Sequence, residues 1–388
     1  MNNPKKRILI LSPFFYPEPI STGKFNTDLA VKLSEIGHKV TVLCSHPVYP
    51  KWLVKKTKDQ IKGIKIERGG GFIKYPQSTI FRRLILEVWY SFFVLSKVNM
   101  IKKFDLIIPI FPPSLFFFFL TCFSRIKKVG IVHDLQEIYS SNKTGIINCI
   151  IGFFIKTIES RAFKNCDNLI FLSEEMKENA LKSYKLTHQN LQVQYPFINI
   201  SLKSNTNDLC DILPDSKEHI VYSGALGEKQ NPAQLYEFFN YASKKMTSTE
   251  FHFFSQGEAF NNLRILNKNA NIKFHDLVPK ENIEELYKRS TVQIIPQLPN
   301  TSKGSLPSKL PNLLISGCKI LLICDKGSEI ERLFIDNNFY KPISSWENSV
   351  MFESLRTLLK AKNNFTEDQI NTINNLFSLD SLIKKIVK

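Results

Sequence analysis

The sequence predicts an α/β protein built from two doubly wound, parallel-sheet domains. At 388 residues the chain is too long for one ordinary core. Short apolar segments alternate with helix-like segments in both halves, and a polar segment from Ile200 to His219 interrupts the alternation. We therefore expect an N-terminal domain over 1–200, a linker over 201–218, a C-terminal domain over 219–365 and a final helix over 366–388 packed on the N-terminal domain.

The first half opens with a strand, "RILIL", and a Pro-rich loop. A helix should follow, because Phe25, Leu29 and Leu33 recur at helical spacing and Gly37 ends the pattern. An apolar strand, "KVTVLCS", comes next. Further strands of this half are predicted at "IKIER", "LIIPIF", "VGIVHD", "NLIFLS" and "LQVQYP".

An uncharged segment of 19 residues, 106–124, contains four consecutive phenylalanines and resembles a membrane span. Pro112 and Pro113 divide it, since they remove two backbone donors and favour extended structure before them. A helix from an N-cap at Ser114 to Ser124 would be roughly 16 Å long, whereas a span needs about 30 Å. The pattern favours strand, turn, helix and strand over an integral membrane protein.

The second half repeats the alternation after the linker. Strands are predicted at "HIVYSG", "EFHFFSQG", "NIKFHDL", "VQIIPQ" and "KILLIC". No G-x-G-x-x-G follows the first strand of the chain, which argues against a dinucleotide dehydrogenase. In "YSGALGEKQN", Gly224 lets the backbone approach a ligand, Lys229 can neutralise phosphate, and a helix begins near Asn231. A solvated surface loop is the alternative interpretation.

The positive charge is concentrated in the first half. Residues 1–200 carry 29 Lys and Arg against 14 Asp and Glu, while residues 201–388 carry 23 against 21. This asymmetry indicates an anionic partner, and the aromatic content favours an acidic membrane surface over nucleic acid. A core helix with a solvated basic face is the alternative. The residues expected to face the membrane are Arg82, Arg83, Trp89, Lys102 and Lys103.

The seven cysteines are scattered and form no CxxC pair, so we expect reduced thiols in the cytosol. The apolar run "ILIL" is too short for a signal peptide. Asp-x-Asp is absent and no His or Asp cluster has ligand spacing, so no metal or other cofactor is expected. These features predict a cytoplasmic protein associated with the inner face of the plasma membrane.

Five motifs in order resemble the retaining glycosyltransferases of family 4, which have the GT-B fold. The segments that carry the resemblance are "LILSPFFYPEPISTGKFNTDLAVKLSEIGHKVTVL", "FDLIIPIFPPSLF", "VHDLQE", "YSGALGEKQN" and "SLPSKLPNLLISGCKIL". The resemblance implies two Rossmann-like domains that face a central cleft. The subgroup it suggests acts in colanic-acid, capsule and O-antigen synthesis, with fucosyl- or N-acetylfucosaminyl-type transfer.

The resemblance also implies roles for individual residues. His133 and Lys229 would be catalytic, with Lys229 on the donor diphosphate and His133 facing the transferred sugar. The diphosphate or acceptor loop would contain Ser21, Thr22, Gly23 and Asp134. The donor-binding residues would be Gly224, Lys229, Ser308, Lys309, Leu310 and Asn312.

Two departures from the family pattern are visible. Many members carry Glu-x7-Glu where this chain has Gly304 and Asn312, and a phosphate-binding Arg where it has Ala225. Asn312 can hydrogen-bond a ribose hydroxyl, but without charge. Lys229 and Lys309 would then share the phosphate.

The resemblance implies transfer, with retention, from a UDP- or GDP-linked sugar to a polyprenyl-diphosphate-linked saccharide, without a metal ion. Two alternatives remain from the residues alone. One is a nucleotide-sugar 2-epimerase of the same fold, which needs acid and base side chains that this sequence supplies sparsely. The other is a non-catalytic scaffold of a polysaccharide assembly complex, given the missing Glu pair.

Overall fold

The structure, a computed structural model, describes residues 4–119, 125–135, 146–187, 190–200, 207–302, 304, 306–361 and 365–388. The chain forms two units. Unit 1 comprises Met1–Tyr195 with Leu379–Lys388, and unit 2 comprises Pro196–Ser378. The first boundary lies at Tyr195 rather than at residue 200.

Unit 1 is built on a seven-stranded parallel sheet of order β3-β2-β1-β4-β5-β6-β7. Its central strands read as nearly continuous apolar runs, as expected for strands covered on both faces. All seven lie in segments that the sequence predicts as strands. They are β1 (Arg7–Leu11), β2 (Lys39–Ser45), β3 (Ile64–Gly69), β4 (Leu106–Phe111), β5 (Lys127–Val132), β6 (Asn168–Phe171) and β7 (Asn190–Val193).

Helices connect these strands and pack on the sheet. The order reverses between β1 and β4, which makes the carboxyl ends of these two strands the switch point of the unit. The helices are α1 (Ser21–Glu35), α2 (Thr79–Ser96), α3 (Val98–Ile101), α4 (Leu115–Phe119), α5 (Ile146–Lys164) and α6 (Glu174–Tyr184).

The phenylalanine segment is part of the core of unit 1 in its described portion. Phe116 and Phe117 are buried, and their rings lie 6.3 and 5.6 Å from that of Phe111 on β4. Glu87 on α2 caps α4 by accepting hydrogen bonds from the backbone amides of Ser114 and Leu115. The predicted cap by the Ser114 hydroxyl is therefore wrong, and residues 120–124 of the predicted helix lie outside the described residues.

Unit 2 contains a five-stranded parallel sheet of order β10-β9-β8-β11-β12. The predicted second α/β sheet is confirmed, again strand by strand. Its strands are β8 (Glu218–Ser223), β9 (Thr249–Phe254), β10 (Ile272–His275), β11 (Val292–Pro296) and β12 (Lys319–Ile323). Its helices are α7 (Pro232–Lys245), α8 (Glu258–Leu266), α9 (Ile283–Arg289), α10 (Leu310–Ile315), α11 (Glu329–Asp336), α12 (Asn348–Lys360) and α13 (Glu367–Leu376).

The C-terminal segment divides between the units. Helix α13 belongs to unit 2 and packs against α10, whereas α14 (Leu379–Val387) belongs to unit 1. In unit 1, the Lys6 amino group donates to the Val387 carbonyl at 2.7 Å, and Lys385 donates to the Val193 carbonyl at 2.6 Å. The segment expected as one helix is thus two helices that serve different units.

None of the helices within the described residues combines the length and the apolar character needed to cross a bilayer.

Candidate functional site

The carboxyl ends of β8 and β11 form the switch point of unit 2, because the strand order reverses between them. Ligands of open α/β sheets bind beyond the carboxyl ends of the strands at this position. The loops that leave β8 after Ser223 and β11 after Pro296 contain most of the predicted donor-binding residues.

Lys309 fixes the strand ends at this point. Its amino group donates to the carbonyls of Ser223 and Ile294, at 2.9 and 3.1 Å, and lies 4.7 Å from the Tyr222 ring centre. Desolvation by burial lowers the pKa of Lys309 to about 7. A phosphate contact of Lys309 would therefore use a side chain that already joins two strands.

The low pKa of Lys309 predicts a pH-dependent contribution to stability. Between about pH 7 and the ordinary value of 10.5, the unfolded chain binds more protons than the folded one, so stability should rise with pH. The measured quantity is the difference in free energy of unfolding between the wild type and Lys309→Met. We expect this difference to increase by up to about 1.4 kcal/mol for each unit that the pH rises. Urea unfolding at pH 7 and pH 9 measures this difference. A flat difference would mean that the ammonium keeps its charge.

Four of the described glycines of unit 2 have a positive φ angle and space for a Cβ atom: Gly224, Gly257, Gly304 and Gly327. Gly224, Gly257 and Gly304 have φ angles of +127°, +106° and +94°, and a Cβ added at any of them would meet no atom within 4 Å. The amide of Gly224 donates to the carbonyl of Phe254 at 3.0 Å, which joins the loops after β8 and β9. At Gly224, which follows β8 at the switch point, the backbone therefore has the space that a close approach to a ligand requires.

Lys229 lies on a 3₁₀ turn, Glu228–Gln230, directly before α7. Its side chain is exposed, and its carbonyl accepts a hydrogen bond from the Leu298 amide at 2.7 Å. This bond anchors the turn to the segment that follows β11. The predicted helix start near Asn231 is confirmed, since α7 begins at Pro232.

Three predicted donor-binding residues precede or open α10. Ser308 is exposed, as a ligand contact would need. Leu310 is fully buried, so its side chain contributes to the core. Asn312 is buried, and its amide makes both of its hydrogen bonds with Asn199, accepting from the Asn199 amide at 3.0 Å and donating to the Asn199 side chain at 2.7 Å. Leu310 and Asn312 therefore have packing and anchoring roles in unit 2, and their nucleotide contacts stay a prediction.

Three of the residues predicted for the diphosphate or acceptor loop, Ser21, Thr22 and Gly23, form the first turn of α1. The first backbone amide of the helix with an intrahelical acceptor is that of Lys24, which donates to Ile20, and the N-cap Ile20 has no side-chain acceptor. The amides of Ser21, Thr22 and Gly23 therefore form a helix N-terminus suited to an anion.

Gly23 is required by close packing. A Cβ at this position would lie 2.9 Å from both Cβ and the carbonyl oxygen of Glu18. Glu18 is itself buried, and its carboxylate accepts from the amides of Val48 and Tyr49, each at 2.9 Å. Burial raises the pKa of Glu18. The sequence analysis missed Glu18, although a carboxylate between Pro17 and Pro19 is an unusual signal.

Gly23→Ala should destabilise unit 1 by about 1–3 kcal/mol, because the added methyl group overlaps the backbone of Glu18. Denaturant unfolding measures this loss. Gly227→Ala is the matched control, since the nearest atom to its added Cβ is the Gln230 Oε1 at 3.4 Å. A loss at Gly23 no larger than at Gly227 would contradict the packing argument.

His133 follows β5, and its amide donates to the Phe111 carbonyl at 2.9 Å. Its ring meets that of Phe25 on α1 edge-on, with 4.6 Å between centroids. The Nε2 atom is shielded from solvent and has no hydrogen-bond partner among the described residues. Desolvation lowers the pKa of His133 to about 4, so the ring is neutral at pH 7. Asp134 accepts a hydrogen bond from the Leu135 amide at 3.0 Å.

Unit 1 thus brings His133 beside the first turns of α1, while the last residues of the predicted motif "VHDLQE", Gln136 and Glu137, lie outside the described residues. An imidazole nitrogen without a partner leaves hydrogen-bonding capacity for a ligand, because buried polar atoms are normally satisfied.

The predicted membrane-facing set is only partly exposed. Arg83, Lys102 and Lys103 are exposed. Arg82 stacks on Trp52, with 4.4 Å between its guanidinium and the ring centre. Trp89 is buried and donates to the Tyr75 hydroxyl at 2.7 Å. The prediction that Trp89 faces the membrane is therefore wrong, because its indole packs inside unit 1.

The exposed face of α2 is apolar instead. Phe81, Leu84, Val88 and Phe92 recur every three or four residues and are 62%, 56%, 38% and 70% exposed. Helix α5, which like α2 packs against α4, exposes Phe153 and Phe154. Helical spacing alone did not reveal this surface, since it does not tell which face of an apolar helix lies outward.

Comparisons with known proteins agree on one class. Residues 22–202 match the model of Glycosyltransferase Family 4. The chain is 24% identical over 360 residues to WcaI of Escherichia coli (strain K12), a protein assigned as a glycosyl transferase of colanic acid biosynthesis. The matched region covers 84% of this chain and 85% of WcaI.

Solved structures show the same fold. WaaG, a glycosyltransferase involved in lipopolysaccharide biosynthesis, superposes with a TM-score of 0.73 at 13% identity over 98% of this chain and 99% of that one. Sucrose-phosphate synthase from Thermosynechococcus elongatus superposes with a TM-score of 0.73 at 12% identity, over 98% and 97% of the two chains.

Proposed function

We propose that this chain is a member of Glycosyltransferase Family 4, whose model matches residues 22–202, and that it transfers a sugar from a nucleotide-sugar donor to a lipid-linked saccharide. Its fold is GT-B. The donor binds at the switch point of unit 2. The observation that carries this assignment is the strand-order reversal between β8 and β11, where the loop after β8 has Gly224 at positive φ and the exposed Lys229.

The donor diphosphate lies against Lys229 and the Gly224 loop. Negative charge develops on the diphosphate as the sugar leaves, and a fixed cation near that oxygen lowers the barrier. Lys309 orders the strand ends below, and the exposed Ser308 faces the nucleotide. We propose that these groups replace a divalent ion, so that added magnesium leaves the rate unchanged. The anomeric configuration is retained, with the leaving phosphate accepting the proton of the acceptor hydroxyl.

Unit 1 contributes His133 and the first turn of α1. The neutral imidazole of His133 hydrogen-bonds the transferred sugar through its Nε2 atom. The amides of Ser21, Thr22 and Gly23 bind an anionic group of the acceptor, as helix N-termini do. Asp134 orders the residues that follow β5.

The acceptor class is a polyprenyl-diphosphate-linked saccharide of surface-polysaccharide synthesis, such as capsule or O-antigen. The likeness to WcaI, which is described as a glycosyl transferase of colanic acid biosynthesis, supports this class. For the donor we propose UDP or GDP linked to a 6-deoxy or N-acetylated sugar.

We propose that unit 1 docks reversibly on an anionic inner leaflet. The apolar face of α2 supplies the inserting side chains, and exposed basic residues such as Arg83, Lys102 and Lys103 supply charge. Each basic side chain near such a surface contributes on the order of 1 kcal/mol. Apolar insertion and charge together suit a protein that works on a lipid-linked acceptor at the cytoplasmic face.

The double substitution Phe81→Ser and Phe92→Ser should lower binding to phosphatidylglycerol-containing vesicles at least tenfold, because two exposed aromatic rings no longer insert. Vesicle co-sedimentation at low salt measures the change. Ile265→Ser, at a residue of unit 2 that is 80% exposed, is the matched control and should leave binding unaltered. Equal losses in both variants would contradict docking through α2.

Calorimetric titration with UDP and GDP tests the donor site and separates the rivals. We expect one nucleotide to bind the wild type in a one-to-one ratio. A non-catalytic scaffold should bind neither. A 2-epimerase would bind UDP but convert its nucleotide sugar without any acceptor, and that outcome would overturn the proposed transfer.

A further inference from the structure

Three ligand-type side chains converge in unit 2 on the sheet face opposite its main apolar core. His219 lies on β8, and Glu250 and His252 lie on β9. The parallel register pairs His219 with Glu250 and Val221 with His252, so all three side chains project from one face. The linear sequence hides this cluster, because the two histidines are 33 residues apart.

The three side chains surround one point. The Nδ1 atom of His219 lies 3.0 Å from the Nε2 atom of His252, and the Glu250 Oε2 atom lies 3.9 and 3.7 Å from these two nitrogens. The last two distances are too long for hydrogen bonds. A zinc ion sits about 2.0–2.2 Å from such nitrogen and oxygen ligands, which places tetrahedral ligand atoms roughly 3.4 Å apart. The triangle already has that size.

The outer hydrogen bonds orient both imidazoles. The Nε2 atom of His219 lies 2.9 Å from the Pro214 carbonyl, which can only accept, so the ring proton is on Nε2 and Nδ1 carries the lone pair. The Nδ1 atom of His252 lies 3.1 Å from the Nε2 atom of His275. Without an ion, the 3.0 Å contact is a hydrogen bond in which the Nε2–H group of His252 donates to the lone pair of His219 Nδ1. Zinc binding requires the other tautomer of His252, in which Nδ1–H donates to His275 and Nε2 carries a second lone pair beside the first. Such outer partners are typical of metal-bound histidines.

We propose that His219, Glu250 and His252 bind a zinc ion, with a water molecule as fourth ligand. Both histidines are buried, while Glu250 is 16% exposed and marks the entry side. The other oxygen of Glu250 pairs with Lys217 at 2.8 Å, and Lys217 is half exposed.

The site lies apart from the donor residues. His219 is near the amino end of β8, whereas Gly224 follows its carboxyl end, five residues or roughly 16 Å along the strand. The ion therefore connects β8 with β9, and through the hydrogen bond of His219 also with the turn that contains Pro214. It stabilises unit 2 and takes no part in the transfer reaction.

The test uses the full chain, stripped with a chelator and titrated with Co²⁺. We expect one Co²⁺ per chain with visible d–d absorption of a four-coordinate site, displaced by Zn²⁺. Zinc at a hundredfold excess over its Kd should raise the melting temperature by roughly 5–10 °C.

Variants separate binding from folding. Glu250→Gln keeps the shape of the side chain and should abolish the absorption, and His275→Gln should weaken binding about 10–100-fold as a positioning residue. His38→Gln, at a buried histidine of unit 1, is the control and should bind normally. Absence of the Co²⁺ bands in the wild type, or their persistence in Glu250→Gln, would overturn the proposal.

Discussion

Replacing Lys229 with alanine should lower the rate of sugar transfer by about 10²–10³-fold. The expected loss is that of one preorganised group that stabilises charge in the transition state. The turn around Lys229 is anchored by the bond from the Leu298 amide to the Lys229 carbonyl, so the backbone should survive the change. Release of the nucleoside diphosphate in the presence of acceptor measures the rate.

The control for Lys229→Ala is Lys268→Ala. Lys268 is an exposed lysine of the same unit, between α8 and β10, away from the Gly224 loop. Equal thermal stability with unequal rates would assign the effect to the site. Unchanged turnover in Lys229→Ala would remove Lys229 from the reaction.

His133→Phe should reduce transfer about a hundredfold or more while leaving the protein as stable as before, or more stable. The aromatic ring keeps its edge-on contact with Phe25, and the substitution removes a buried nitrogen that has no partner among the described residues. A histidine kept for structure would give the opposite pattern, with lost stability and retained activity. Thermal unfolding and transfer assays on one preparation measure both.

The pH dependence of stability gives a second check on His133. Its pKa in the folded chain is about 4, below the ordinary 6.5, so the unfolded chain binds more protons between these values. Stability should therefore fall as the pH drops through this window, and His133→Phe should remove part of that fall. His38→Phe is the contrasting variant, because the Nδ1 atom of His38 accepts from the Lys6 amide at 3.1 Å. It should lose stability and keep transfer.

The fold was predictable because each strand is a short apolar run bounded by polar residues or proline. All twelve predicted strands are present, and the described part of the phenylalanine segment forms β4 before Pro112 and Pro113 and α4 after them. The split of the C-terminal segment was not predictable, since no residue between α13 and α14 signals a change of partner.

The site was less predictable because its side chains depend on distant partners. Asn312 matches the family motif by position, yet its amide is engaged by Asn199, 113 residues earlier. Lys309 is predicted to contact phosphate, and the structure adds that its amino group joins two strand ends. Trp89 has the composition of a membrane contact, but the adjacent Gly70 leaves room for its ring inside unit 1. The spacing of the motifs was therefore enough to locate the loops, whereas the direction and the partners of each side chain could be determined only from the structure.

Direct transfer to a short polyprenyl-diphosphate saccharide, followed by mass spectrometry over a panel of UDP- and GDP-sugars, tests the proposed function most directly. We expect one donor to add the mass of its sugar to the acceptor and to release its nucleoside diphosphate, with both signals reduced in Lys229→Ala and His133→Phe. No mass increase with any donor, from a folded protein that also binds neither UDP nor GDP, would contradict the assignment of this chain as an active glycosyltransferase.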